Sequence, residues 1–149
     1  MQRAPTPGRW GYTLPELVLV VTIVGLVTVS GIRSLAHHLD RLAVRAAVAE
    51  AASVVARARD DAIARHEIVS LRIDTAHATL VLRAGNERLA RYALGSAYAV
   101  SLSTTRDSIT FDARGLGYGA ANLTLVARRG TAADTLVVSR LGRTRYHAR

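Results

Sequence analysis

The sequence predicts an α+β protein, in which a long N-terminal transmembrane-plus-amphipathic α-helix packs on a C-terminal antiparallel β-sheet domain. An uncharged apolar run occupies residues 17–32, and an apolar stripe at helical spacing continues from it to about Arg65. After Glu67 the apolar residues alternate with a period of two, which is typical of strands that bury one face. We therefore expect a basic N-terminal segment at 1–11, a membrane helix at 12–33, the amphipathic half of that helix at 34–65 and a β-rich domain at 66–149.

The N-terminal apolar run has the composition of a membrane helix. Its 16 residues, 17–32, would span roughly 24 Å, which is slightly less than a hydrocarbon core of about 30 Å. Residues 1–11 contain two arginines and no acid, and a positive flank of this kind stays in the cytoplasm. The alternative is a cleaved secretory signal with Val29-Ser30-Gly31 as its cleavage site, but the run continues directly into a helical pattern. We therefore expect a single-pass protein with a cytoplasmic N-terminus.

Glu16 stands at the head of the apolar run, where an unpaired carboxylate is costly in lipid. One explanation is local, because Thr13 and Glu16 have the spacing of a capping box and Pro15 is tolerated in a first helical turn. The other explanation is functional: the carboxylate could pair with the N-terminal amine of a neighbouring chain, if each chain were cut just upstream. The two explanations are compatible, whereas a plain membrane anchor accounts for the run and not for this residue.

Residues 11–21, GYTLPELVLVV, resemble the processing motif of type IV prepilins. The resemblance implies that an inner-membrane peptidase cuts between Gly11 and Tyr12 and methylates the new N-terminus. It also implies that Glu16, at the fifth mature position, is the glutamate used in filament assembly. Tyr12 stands in place of the usual phenylalanine and Pro15 in place of the usual aliphatic residue, and neither breaks the pattern. The implied partners are other pilins or pseudopilins, the prepilin peptidase and the inner membrane, with the globular domain in the periplasm.

The helical pattern continues beyond the membrane segment. Apolar residues recur at spacings of three and four as far as Ile63, with one step at the charged Asp60. Alanine dominates residues 43–64, so this part of the helix can lie close against a sheet. A helix from Thr13 to about Arg65 would be about 80 Å long, which is too long for a domain of this size to bury. The expected apolar stripe consists of Leu35, Leu39, Leu42, Ala46, Ala49, Ser53, Ala56 and Ile63.

Period-two segments separated by turn residues predict the strands of an antiparallel sheet or a pair of small sheets. The expected strands are 68–73, 78–83, 88–94, 98–103, 108–112, 122–127 and 135–141. Turns are expected at 74–77, Gly85-Asn86, Arg129-Gly130 and Gly142, and a glycine-rich loop at Gly115, Gly117 and Gly119.

The C-terminal portion resembles the GspH/FimT branch of the pilin-like proteins. The resembling stretches are residues 109–115, the strand that begins at Asn122, and residues 136–145, LVVSRLGRTR. Together with the N-terminal motif the resemblance covers most of the chain, and it is weak between 67 and 105. It implies the pilin fold and the role of a minor pseudopilin of a type II secretion system or a minor pilin of a type IV pilus.

The formal charge of +9 is concentrated near the C-terminus. Residues 12–113 carry eleven arginines and ten acids, a balance of +1, whereas residues 114–149 carry seven arginines and only Asp134 as an acid, a balance of +6. All twenty basic residues are arginine, which coding bias alone would explain. A basic quarter also favours an anionic partner, the alternative being a solvated tail.

Gly142-Arg-Thr-Arg145 is the most specific feature of this basic region. Arg143 and Arg145 are two residues apart, so on an extended strand they project to the same face and could grip successive phosphates. The run is similar to the segment that DNA-binding members of the FimT branch use in DNA uptake. Because secretion pseudopilins of the branch share the closing Gly-Arg pair without binding DNA, packing or subunit contact is the alternative. Further candidates, if the last strands pair, are Arg140, Arg128 and Arg129.

The remaining residues do not predict an enzyme, a cofactor or a metal site. The absence of cysteine excludes disulfides, thiolate ligands and cysteine nucleophiles. His37 and His38 are adjacent and diverge on a helix, and the glycine-rich loop at 115–119 precedes no helix that could complete a phosphate cradle. Three functions stay open: a filament subunit that uses Glu16, a DNA-binding minor pilin that uses Arg143 and Arg145, and a simple membrane-anchored periplasmic domain.

Overall fold

The structure, a computed structural model, describes residues 12–118, 122–139 and 141–148. The leader 1–11 with Gly11, and Arg140 of the basic region, lie outside the described residues. The elements are α1 Leu14–Arg65, β1 Val69–Asp74, β2 Thr79–Ala84, β3 Glu87–Ala93, α2 Leu94–Tyr98, β4 Ser101–Thr104, β5 Ser108–Phe111, β6 Gly117–Tyr118, β7 Leu123–Arg129, β8 Ala132–Val138 and β9 Thr144–Ala148.

Helix α1 confirms the predicted long helix to within one residue at its start. Its end is a left-handed cap: His66 has a φ of +53°, and the Glu67 N–H bonds to the Ala62 carbonyl at 3.3 Å. Within the described residues, no helix combines the length and the hydropathy needed to cross a membrane. The membrane assignment of 12–33 stays a prediction. The chain divides into two units, the first ending at Ala36 and the second running from His37 to Arg149.

The strands form two antiparallel sheets, as the sequence pattern allowed. Sheet A has five strands in the order β3-β2-β1-β5-β6, and sheet B has four in the order β4-β7-β8-β9. In sheet A, Leu71 pairs with Leu82 on one side and with Ile109 on the other. In sheet B, Leu136 pairs with Leu125 and with Tyr146. Leucine, valine and phenylalanine side chains on the inner faces of both sheets form one core with helix α1.

The helix turns a different stripe toward this core from the one that the sequence predicts. Leu35, Leu39, Leu42 and Ile63 are 61%, 52%, 61% and 41% exposed. Small side chains let α1 lie close against the sheets, so its alanine-and-valine face is buried and its leucine face is not. The buried helix residues are Val44, Ala47, Val48, Ala51, Ala52, Val54, Val55, Ala58 and Ala62.

Three element assignments are corrected in the β-rich domain. The expected strand 98–103 begins only at Ser101, because Tyr98 ends helix α2 and its hydroxyl donates to Glu50 Oε2 at 2.6 Å. That hydrogen bond and partial burial raise the pKa of Tyr98. Strand β8 stops at Val138 and does not reach Leu141, which lies in the turn before β9. The glycine-rich loop contains a short strand, β6, which pairs with β5.

Candidate functional site

The first candidate site is the start of helix α1, where Tyr12 and Glu16 lie. The Glu16 Oε2 atom accepts a hydrogen bond from the Thr13 backbone N–H at 3.5 Å, which is the half of the predicted capping box that the glutamate makes. The Thr13 carbonyl accepts from the Glu16 N–H at 3.1 Å and from the Leu17 N–H at 3.2 Å. The Glu16 side chain is exposed at the first turn of α1.

Apolar side chains surround Glu16 and are exposed in the isolated chain. Tyr12 and Leu14 are each 79% exposed, and Leu17 and Val18 are each 58% exposed. Leucine, valine and isoleucine side chains continue this exposed surface as far as Val27. Contiguous apolar surface of this kind marks an interaction site for protein or lipid.

The second candidate site is built by Ser139, residues 141–143 and strand β9. The Ser139 N–H bonds to the Arg143 carbonyl at 2.8 Å, and the Arg143 N–H bonds to the Ser139 hydroxyl oxygen at 3.1 Å. Gly142 has a φ of +74°, a left-handed conformation that favours glycine. The chain then pairs with β8, where Arg145 lies opposite Val137. This pairing fixes the backbone on which both predicted arginines stand.

Arg143 and Arg145 line one shallow depression of about 330 Å³, so they share a face as their spacing predicts. Both are exposed, and within the described residues neither forms an ion pair with a carboxylate. Two uncompensated guanidinium groups in one depression can bind an anion with several oxygen atoms. The other lining residues are Asn122, Val137, Ser139 and Leu141.

The structure does not bring Arg128 and Arg129 to this depression. Arg129 Nε lies 2.8 Å from Asp40 Oδ1, and its Nη1 donates to the Tyr98 carbonyl at 2.9 Å. Arg129 thus ties β7 to helix α1 and to the end of α2. Arg128 is exposed at the far end of β7, where it pairs with Ser101 and Ala133.

A third arginine cluster was missed by the sequence reasoning. It lines a depression of about 610 Å³ on the outer face of sheet A, together with Asp74 and Asp107. The signal in the sequence is weak, because these arginines are spread over three strands and two of them are three residues apart. The arginines are Arg72, Arg83, Arg88 and Arg91.

Other polar clusters of the described residues are local. Asp74 accepts from the Ala76 and His77 N–H groups and lies 2.8 Å from His77 Nδ1, contacts that lower the pKa of Asp74, His77 contributing most. Among the residues that the structure describes, no group of three or more histidine, aspartate or glutamate side chains could hold a metal ion.

Comparisons with known proteins agree with the fold. Residues 47–142 match the model of the family described as type II transport protein GspH. No curated protein matches the sequence. The type IV minor pilin FimU of Pseudomonas aeruginosa PAO1 matches with a TM-score of 0.59 and 17% identity, over 70% of this chain and 87% of that one. The minor pseudopilin EpsH from the type 2 secretion system of Vibrio cholerae matches with a TM-score of 0.56 and 13% identity, over 70% of this chain and 96% of that one.

Proposed function

Because the chain belongs to the GspH family of minor pilins and pseudopilins, we propose that it is processed after Gly11 and assembles into a filament through its N-terminal helix. The filament is that of a type II secretion system or a type IV pilus, and the β-rich domain is periplasmic. The proposal assigns the chain no catalytic role and no cofactor.

The exposure of Glu16 within an apolar helix surface supports this proposal. In lipid, the uncompensated carboxylate would be costly, and a positive N-terminal amine on a neighbouring chain would offset that cost. The apolar residues around it would be covered by the bilayer before assembly and by other subunits afterwards. Processing and assembly are therefore linked, since the amine at Tyr12 arises only when residues 1–11 are removed.

Two measurements test the proposal. Mass spectrometry of the protein recovered from cells should show the loss of residues 1–11 and a methylated Tyr12. Glu16→Gln should remove the protein from the sheared filament fraction while leaving it in the membrane. The matched control is Glu67→Gln, which removes an exposed carboxylate beyond the helix end and should leave incorporation unchanged. An intact N-terminus together with absence of the unaltered protein from the filament fraction would favour a simple membrane anchor. Normal incorporation of Glu16→Gln would overturn the role proposed for Glu16.

DNA binding is a second candidate function, supported by the depression that Arg143 and Arg145 share. The full-length protein in non-ionic detergent should retard a labelled DNA duplex at low salt, and affinity should fall steeply as salt is added. Replacing both arginines with alanine should lower the affinity for the duplex and make it less dependent on salt. Arg41→Ala/Arg45→Ala removes the same charge from exposed sites on helix α1 and serves as the control. If Arg41→Ala/Arg45→Ala weakens binding as much as Arg143→Ala/Arg145→Ala does, the protein attracts DNA by its overall charge and not at this depression.

A further inference from the structure

The outer face of sheet A carries a compact array of four arginines, which we call the sheet A arginine face: Arg72, Arg83, Arg88 and Arg91. Strand pairing brings them together. Arg72 and Arg91 both pair with Val81, from opposite sides of β2, and Arg83 pairs directly with Arg88. Adjacent strands lie about 4.8 Å apart, and residues two apart on a strand about 7 Å. The four Cα atoms therefore fall within an area of about 10 Å by 7 Å.

A register shift in β3 creates this array. Arg88 and Arg91 are three residues apart, so in a regular strand they would project to opposite faces. The pairing with β2 shifts between Leu82 and Arg83, where Ala90 pairs with Leu82 and Arg88 with Arg83, leaving one extra residue in β3. A bulge of this kind redirects a side chain. Here it places both arginines on the face opposite to the buried Leu80 and Leu82.

The face keeps a net positive charge, because its lining holds four arginines and only two acids, Asp74 and Asp107. None of the four arginines forms an ion pair among the described residues, and the one hydrogen bond from a guanidinium runs from Arg83 Nη2 to the Asn86 carbonyl at 2.9 Å. Asp74 lines the depression and contributes a negative charge, while its two oxygen atoms accept hydrogen bonds from the turn that follows and contact His77 and so make no ion pair with the arginines. Asp107 is the other acid in the lining.

The composition of the lining discriminates between classes of partner. Centres of protein–protein interfaces are depleted in charge and rely on aromatic or aliphatic anchors. This face has no aromatic lining residue, and only Ile73, Ala76 and Val81 are apolar. Interfaces with DNA are more polar and much more positively charged. A face without aromatic rings lacks the stacking platform that single strands require, so a duplex fits it better.

We propose that the sheet A arginine face binds the phosphate backbone of duplex nucleic acid, without sequence preference. This site is separate from the depression at Arg143 and Arg145, and its existence does not depend on filament assembly. The guanidinium groups contact phosphates of the duplex, and the bulge in β3 sets the spacing of two of them.

The test measures binding of a labelled duplex of mixed sequence to the full-length protein in non-ionic detergent, over a range of salt concentrations. Arg88→Ala/Arg91→Ala should lower the affinity at least tenfold at about 50 mM salt and reduce the slope of log affinity against log salt by roughly 2. Arg41→Ala/Arg45→Ala, which removes two exposed charges from helix α1, should keep the slope of the unaltered protein. Circular dichroism spectra should match for all variants, because both substituted pairs are exposed.

Several results would overturn the inference. One is an unchanged salt slope in Arg88→Ala/Arg91→Ala. Another is a loss of duplex affinity in Arg41→Ala/Arg45→Ala that equals the loss in Arg88→Ala/Arg91→Ala. Vesicles containing phosphatidylglycerol and the polymer polyglutamate are tested in parallel. If binding of the vesicles or of polyglutamate depends on Arg88 and Arg91 as strongly as binding of the duplex does, the face is a general anion or membrane surface and the proposal is wrong. Loss of duplex binding only in Arg143→Ala/Arg145→Ala would also reject it.

Discussion

Gly142 lies against the ring of Phe111, so that a Cβ atom on Gly142 would stand 3.2 Å from Phe111 Cε1. Phe111 is fully buried, and Gly142 has a φ of +74°. The fold thus requires glycine at the start of the Gly-Arg-Thr-Arg run, independently of any ligand. It lets the turn before β9 close over the core and presents Arg143 to the surface.

Gly142→Ala should lower the free energy of unfolding by about 1–3 kcal/mol, because it combines left-handed strain with a tight contact to Phe111. Gly85→Ala is the matched control: Gly85 has a φ of +53°, but a Cβ there would meet nothing within 4 Å. Denaturant unfolding of both variants measures the difference. Equal losses would show that strain alone is responsible and that the ring contact contributes nothing.

Arg129→Ala should reduce stability by about 1 kcal/mol, because it removes the ion pair with Asp40 and the hydrogen bond to the Tyr98 carbonyl. Partial exposure of both side chains screens the ion pair and limits the effect. The neighbouring Arg128→Ala should change stability by no more than about 0.5 kcal/mol. Thermal unfolding measures the stability of the two variants. A larger loss of stability in Arg128→Ala than in Arg129→Ala would contradict the structural role assigned to Arg129.

Val48→Ala should cost roughly 1–3 kcal/mol, since Val48 is 1% exposed on the face of α1 that the core buries. Leu42→Ala removes a larger side chain, yet it should cost no more than about 0.5 kcal/mol, because Leu42 is 61% exposed. Chemical unfolding of the detergent-solubilised protein compares the two. The reverse order would mean that the predicted leucine stripe faces the core after all.

Asp112 should make stability depend on pH in the acid range. The Leu116 N–H donates to its carboxylate at 2.9 Å and the Arg114 N–H at 3.0 Å, which holds the pKa of Asp112 below its usual 3.8. A depressed folded pKa contributes stability that is present above the unfolded pKa and is lost as pH falls through the folded pKa. Asp112→Asn should therefore have a lower melting temperature than the unaltered protein at neutral pH, and the two melting temperatures should converge as the pH falls through the lowered pKa of Asp112.

The control for that experiment is Asp107→Asn, which removes an exposed carboxylate between β4 and β5. Its melting temperature should follow that of the unaltered protein across the same range. A constant gap between Asp112→Asn and the unaltered protein down to the lowest pH would contradict the assigned pKa shift.

The sequence predicts the long helix and most strands well, because their signals are local. Thr13 and Glu16 mark the start of α1, and the change to period two after Glu67 marks its end. The face of the helix was predicted wrongly, because alanine and valine occur all round residues 43–64 and the larger leucines dominate the apparent stripe. Which side is buried depends on how closely two sheets approach the helix, and this is a tertiary property.

In the candidate sites, too, local features were predicted from the sequence and contacts between distant residues were not. The common face of Arg143 and Arg145 follows from their spacing of two and was predicted. The engagement of Arg129 by Asp40 joins residues far apart in sequence, so no local pattern indicates it. Helix α2 was missed because it has only five residues and no side-chain cap marks its start.

The bulge in β3 has a consequence for comparing this chain with its relatives. A shorter β3 that lacked the extra residue would carry its two arginines at a spacing of two and still direct both outward. Arg-x-x-Arg with the bulge and Arg-x-Arg without it are therefore equivalent surfaces. An ungapped alignment of β3 would score such relatives as having lost one arginine, although their basic surface would be intact.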